Sequence, residues 1–280
     1  MKFKKCSEYF VGIDSDGTVF DSMTVKHTHA FIPCMIRKWN MQHIEAEVYK
    51  IAERINLYSC ERGINRFPGL VRTFDELKKS VGEKFPIKNY ESLRSFTESG
   101  FAMSNKGLSD YIEEHDDAFL KSVLEWSREA DAVFSEKMKE KPPFVKAAEL
   151  ISEIYKEADM GIISSASQKG LEEDWGKWGI LKYMRFAAGQ EYGGKEKQLS
   201  LALEAGYDTE KSIMIGDGLG DLEAAQENGI FFYPIMPGYE EKSWEAFGEI
   251  YFPLLTEGRY GEVQGELIDK FKNNFAREEL

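Results

Sequence analysis

Cysteine is scarce in this chain. Cys6, Cys34 and Cys60 are the three among 280 residues, odd in number, scattered and in no CxxC pair. That argues against a disulfide framework and for reduced thiols in a cytoplasmic setting. Long apolar runs are missing as well: none approaches the ~18 residues needed to span a bilayer. Lys2, Lys4 and Lys5 open the sequence, but the apolar run behind them is short and is cut by Asp14, which makes a poor secretory signal. Positive charge is in deficit. With 36 Lys and Arg against 49 Asp and Glu, the net charge is −13, against the expectation for a general nucleic-acid or anionic-membrane binder. A small anionic substrate stays open, because local cations override a net field. No internal repeat or low-complexity segment is visible.

What is present fits a folded globular protein: 42% hydrophobic and 30% charged residues, in a chain long enough for one large domain or two smaller ones. The stretch around which the rest is organised is Tyr9-Phe10-Val11-Gly12-Ile13-Asp14-Ser15-Asp16-Gly17-Thr18. It opens as a strand and ends in two carboxylates at i, i+2. In a continuing strand those side chains would point to opposite faces. A sharp turn at Gly17 brings both around one small volume, where they need a cation or a shared proton.

Residues 22–140 read as almost wholly helical. Helical spacing of apolar residues predicts helices over Thr24–Asn40, Glu45–Leu57 and Asp117–Lys139. Pro68 suits a first helical position, and Asn89 suits a cap. Lys141-Pro142-Pro143 stops this block. Beyond it, strands at Met160–Ser164, Tyr183–Ala188, Ser212–Ile215 and Ile230–Tyr233 alternate with helices, which indicates a parallel sheet with helices on both faces. A single strand near residue 10 cannot bury itself alone. The expectation is that it joins the later sheet and that the helical block is an insertion, with Asp21-Ser22 and Pro142-Pro143 as its two connections.

Parallel α/β sheets hold ligands beyond the carboxyl ends of their strands. Asp14 and Asp16 follow the first strand, and Ser164 and Ser165 follow the Met160 strand. Gly216-Asp217-Gly218-Leu219-Gly220-Asp221 follows the Ser212 strand, and Lys195 and Lys197 lie between. Hard oxygen ligands without His or Cys favour Mg²⁺. A lysine and a hydroxyl beside them supply donors for a phosphoryl group. Either serine and either lysine fits this reading, though Lys195 and Lys197 diverge by about 200° on a helix, so only one faces the site. His27-Thr28-His29 is no metal pair, because i and i+2 do not share a helix face. Trp126, Trp175, Trp178 and Trp244 read as packing residues.

In Asp14-Ser15-Asp16-Gly17-Thr18, Ser165-Ala166-Ser167, Lys195 and Gly216-Asp217 with Asp221, the chain resembles the haloacid dehalogenase-like (HAD) superfamily of phosphohydrolases, of the β-phosphoglucomutase or phosphoglycolate phosphatase type. The likeness covers about residues 8–21 and 144–235; the Lys-Pro form common in the third motif is absent. It implies a Rossmann-like α/β core of residues 1–21 and 141–280, with an all-helical cap inserted at 22–140. It implies Asp14 as nucleophile, Asp16 as general acid and base, and Mg²⁺ held by Asp14, Asp16 (through its backbone carbonyl), Asp217 and Asp221. Ser165 and Lys195 would grip the phosphoryl oxygens with Thr18 beside them, Thr18 and Gly17 also shaping the turn. An aspartate at position 16 implies a phosphate-ester leaving group, hence a phosphatase acting on a small phosphorylated metabolite, or alternatively a sugar phosphomutase. A phospholigand-binding protein without catalysis is the third reading. Arg62 and Arg66, in a loop between two helices of the block, are the expected readers of the rest of a substrate.

Overall fold

A computed structural model describes residues 3–276. Within them the chain divides into two compact units, one of residues 3–21 and 141–276, the other of residues 22–140. No helix among the described residues is long and apolar enough to cross a membrane.

The first unit is built on five parallel strands: β1 (Tyr9–Ile13), β2 (Ala158–Ile163), β3 (Phe186–Ala188), β4 (Ser212–Gly216) and β5 (Phe231–Pro234). Their order across the sheet is β3-β2-β1-β4-β5, so the early strand is central, between β2 and β4. Ile13 pairs with Ile162 on one side and Ile215 on the other, which brings the three strands to the same edge in step. β1 is buried along almost its whole length, as a strand flanked on both sides requires. Alternation then serves both faces: Phe232 packs on Phe271 at 5.4 Å, and its neighbour Tyr233 on Phe247 at 4.8 Å.

In the other unit the helices are α1 (Ser22–Lys26), α2 (Ile32–Lys38), α3 (Glu45–Glu53), α4 (Arg66–Val81), α5 (Glu91–Glu98), α6 (Asn105–His115) and α7 (Ala118–Met138). Their core is rich in aromatics, with Trp39 edge-on to Phe74 at 5.2 Å and Phe31 edge-on to Trp126 at 5.5 Å. The helix expected over Thr24–Asn40 is interrupted by a wide π-type turn at His27–Phe31. Pro33 supplies the reason: it lacks an N–H and its ring clashes with the preceding turn, so the chain there widens. The same pairing recurs at Phe247–Tyr251, just ahead of Pro253. Pro68 is the third residue of α4 rather than the first, because Asn65 caps that helix by accepting the Phe67 N–H at 3.0 Å. Asn89 accepts the Glu91 N–H at the start of α5. Helix α6 falls within the block expected to be helical, though its apolar spacing marks no separate bounds. Gly107 weakens its propensity, yet a Cβ there would lie 1.9 Å from the Ala102 carbonyl, so the close approach requires glycine.

The sheet unit continues with α8 (Val145–Ile154), α9 (Gln168–Lys177), α10 (Lys195–Leu203), α11 (Leu219–Glu227), α12 (Glu240–Ala246), α13 (Phe252–Thr256) and α14 (Gly261–Ala276). The Glu241 carboxylate accepts the Val145 and Lys146 N–H groups at 2.9 and 2.8 Å, capping α8 from another element. The two connecting segments lie side by side in this unit: the Phe144 N–H donates to the Val19 carbonyl at 2.8 Å, and Lys141 pairs with Asp21 at 2.8 Å. Tyr183, expected in a strand, belongs instead to a short 3-10 turn ahead of β3.

Asp159, on β2, is fully buried and fastens the N-terminal segment to the sheet. It accepts the Cys6 and Ser7 N–H groups (2.6 and 2.8 Å), the Tyr207 hydroxyl (2.7 Å) and Arg185 Nε (2.5 Å). Burial works to raise its pKa, but the two backbone donors, Tyr207 and Arg185 outweigh it and hold the carboxyl below the usual range. Asp159→Asn is expected to cost about 3 kcal/mol at neutral pH in denaturant unfolding, because an amide turns a donor toward donors. A depressed carboxyl contributes stability above its unfolded pKa and loses it as pH falls through the folded value. The gap between wild type and variant should therefore close below about pH 4; a gap constant down to pH 2.5 would remove the charge from the account.

Candidate active site

β1 and β4 are neighbours, and each ends in an aspartate. The Asp14 N–H donates to the Ile215 carbonyl at 3.0 Å, extending the ladder by one rung, and Asp217 follows β4 directly. Adjacent parallel strands are about 4.8 Å apart, which sets the two carboxylates side by side. Asp221, in the first turn of α11, completes a buried cluster: carboxylate oxygens of Asp14, Asp217 and Asp221 lie within 4.8 Å of one another. Asp221 also accepts the Gly218 N–H at 3.0 Å. Glycine is required at 216, since a Cβ there would come within 2.2 Å of Asp221 Cγ.

Lys195, the first residue of α10, sends its ammonium into the cluster, 3.0 Å from Asp14 and 2.6 Å from Asp221. Burial pushes the Asp14 carboxyl well up; Lys195 opposes this, and the charges of Asp221, Asp217 and Asp16 reinforce it. Burial raises Asp221 too, with Lys195 again opposing. Burial also works against the charge of Lys195, but the surrounding carboxylates overcome it and hold the ammonium protonated far above neutrality. Three carboxylates against one ammonium leave a surplus of negative charge in a largely buried volume. A divalent cation with oxygen ligands is the counter-charge that such a donor set fits.

The loop around Asp14 is fixed from several sides. Gly17 takes a left-handed φ of 76° and donates its N–H to the Phe20 carbonyl at 2.8 Å, so the chain turns back at once. The Trp175 indole donates to Ser15 Oγ at 2.9 Å, and the Trp244 indole to the Thr18 carbonyl at 2.8 Å. Both indoles are buried and serve as hydrogen-bonding struts as well as packing. Trp178, also expected to pack, is partly exposed with Lys177 over its ring.

Several expected positions change. Thr18, expected beside the phosphate, is fully buried and donates its hydroxyl to Asp217 at 2.8 Å; it orients a carboxylate of the cluster. The Asp16 side chain is not one of the three in the cluster, although its charge reaches Asp14. Ser164 is buried, its hydroxyl accepting the Ala166 N–H at 3.2 Å, whereas Ser165 is exposed. Lys197 is exposed and lies over Gly193, on a different side of α10 from Lys195. Arg62 and Arg66 do not share a loop. Arg66 opens α4, bound to Asp131 at 2.6 Å and Ser127 Oγ at 2.9 Å with its guanidinium 4.7 Å from the Phe31 ring centre; Arg62 donates to the Leu57 carbonyl at 2.8 Å.

A parallel α/β sheet with a buried carboxylate–lysine cluster at the carboxyl ends of adjacent central strands defines a class of enzyme-like α/β protein. A family model described as haloacid dehalogenase-like hydrolase matches residues 64–235, more than half of the chain, and the protein belongs to that family. Asp14 and Asp16 precede the matched span. Among solved structures, a predicted phosphoglycolate phosphatase from Haemophilus somnus 129pt is 13% identical, with 82% of this chain and 86% of that chain covered and a TM-score of 0.51. A protein of Bacteroides fragilis described as a haloacid dehalogenase-like hydrolase is 16% identical, with 84% and 92% covered and a TM-score of 0.50. At these identities the likeness is one of fold. No curated protein matches the chain.

Proposed function

We propose that the protein is a Mg²⁺-dependent phosphatase that hydrolyses a small phosphate monoester through an aspartyl-phosphate on Asp14. The observation that carries this reading is the Lys195 ammonium between Asp14 and Asp221, with Asp217 completing the buried carboxylates. In this reading an Asp14 oxygen attacks phosphorus and the ester P–O bond breaks. Asp16, as the acid, gives its proton to the departing alkoxide oxygen. As the conjugate base it then takes a proton from water, whose oxygen attacks phosphorus while the bond to Asp14 breaks. Lys195 and Ser165 bind the phosphoryl oxygens, with the lysine charge offsetting the negative charge that builds there. A Mg²⁺ ion held by Asp14, Asp217, Asp221 and the Asp16 backbone would supply charge neutralisation for the approach of a carboxylate to a phosphate. Residues 22–140 are read as the inserted cap, and the enzyme as cytoplasmic.

The test is phosphate release from p-nitrophenyl phosphate and from a panel of phosphorylated sugars, hydroxy acids, nucleotides and amino acids. Release is expected with Mg²⁺, lost in EDTA and restored by added Mg²⁺. Isomer formation without phosphate release would favour the mutase alternative. Turnover indifferent to EDTA, or none across the panel, would overturn the proposal.

A further inference from the structure

We infer that Gln198 is a positioning residue that sets the placement of Ser165 relative to Lys195; the inference rests on the function proposed above. Gln198 is fully buried, three residues after Lys195 on α10. Residues at that spacing lie near one another on a helix surface. The turn that presents the Lys195 ammonium to Asp14 therefore also presents the Gln198 amide to the neighbouring loops.

That amide is used completely. Gln198 Oε1 accepts the Ser164 N–H at 2.9 Å, and Nε2 faces the carbonyls of Ser164 (2.9 Å), Gly189 (3.1 Å) and Gly193 (2.8 Å). The orientation is unambiguous, since the reverse would set its oxygen against three carbonyl oxygens. Gln198 thus meets both backbone polar groups of Ser164, sharing the Ser164 N–H with the Ala188 carbonyl at 3.1 Å. The same Nε2 holds Gly193, where the chain takes a φ of 101° on its way into α10. Beyond Ser164, the loop is fixed again: the Ala166 N–H donates to Ser164 Oγ, and the Ala166 carbonyl accepts the Gln190 N–H at 2.8 Å. Ser165 stands exposed between two anchored residues.

A methionine would fill the same volume without desolvating an amide, so filling the core does not account for glutamine here. The hydrogen bonds join the segment after β2 to the segment before α10. Those are the two that carry the proposed phosphoryl-binding groups. None of them reaches Asp14, Asp217 or Asp221. Removing the amide should therefore loosen oxyanion binding and leave the metal ligands in place.

The experiment compares wild type, Gln198→Met and Gln198→Asn in three readings: inhibition by inorganic phosphate, Mg²⁺ half-saturation of p-nitrophenyl phosphate hydrolysis, and thermal unfolding. Both variants are expected to weaken phosphate inhibition and lower kcat/KM by about 10–100-fold, the scale of a small misplacement of a binding group. The Mg²⁺ half-saturation should stay as in wild type. Unchanged phosphate inhibition in a folded variant would overturn the inference. So would a parallel loss of Mg²⁺ affinity, which would mark general loosening, or failure of both variants to fold, which would make Gln198 a folding residue. A wild-type enzyme that neither binds phosphate nor releases it would instead overturn the proposed function.

Discussion

Asp14→Asn is expected to abolish turnover, with kcat reduced by about 10⁴-fold or more, equivalent to roughly 5.4 kcal/mol in the barrier. The substitution keeps the size of the side chain and removes the anionic oxygen that would attack phosphorus. It should not act by unfolding. Asp14 is buried beside the carboxylates of Asp217 and Asp221, and its pKa is raised by that burial in spite of Lys195. A carboxyl raised in the folded state costs stability above its unfolded pKa, so a neutral amide relieves repulsion at pH 7. In EDTA, Asp14→Asn should therefore unfold at a temperature no lower than wild type. Residual turnover of a few per cent, in a folded variant free of reversion, would remove Asp14 as the nucleophile. It would leave a water-attack mechanism at the same cluster.

The second large effect is expected at Lys195. Lys195→Met removes the single ammonium between Asp14 and Asp221 and leaves three buried carboxylates together. Loss of one charged donor at the reacting group lowers kcat/KM by about 10²–10³-fold. Loss of a buried counter-charge destabilises by roughly 3–5 kcal/mol. These two consequences separate under Mg²⁺. The ion would restore much of the missing positive charge, so Mg²⁺ should raise the unfolding temperature more in Lys195→Met than in wild type. It should not restore kcat/KM, because a bound ion cannot take over the phosphoryl-binding role proposed for the lysine. Lys195→Arg keeps the charge but brings a wider, planar group into a site shaped for a point charge, and should recover stability more than activity. Lys197→Met, on an exposed side chain, should change neither. Full activity in Lys195→Met would overturn the assignment.

The parts of this protein that the sequence makes legible are those written in local pattern. A buried run ending at Ile13, followed by Asp-Ser-Asp-Gly, marks a strand that ends in carboxylates, because strand propensity and a left-handed glycine act over a few residues. Alternating strands and helices after residue 143 mark a parallel sheet, and a lone early strand needs that sheet to be buried. The choice between Ser164 and Ser165 is not legible, because both serines follow β2 and only its last rung decides which hydroxyl is buried. Nor is Thr18 as the partner of Asp217, two residues 199 positions apart joined only by the register of β1 on β4. Trp175, Trp244 and Gln198 carry no sequence signal for the same reason. The polar groups of an indole or a side-chain amide show a purpose only when a partner from a distant segment lies opposite.

By itself, then, the sequence determines which segments are strands and where carboxylates, serine and lysine are available, since those depend on propensities and periods internal to each segment. Tertiary structure alone decides which of these groups meet. Hydrogen-bond registers between β1, β2 and β4 set the strand ends level, and that brings charges from distant segments into one cluster. A one-residue slip in any of those registers would turn the functional side chains to the other face while leaving every local pattern intact.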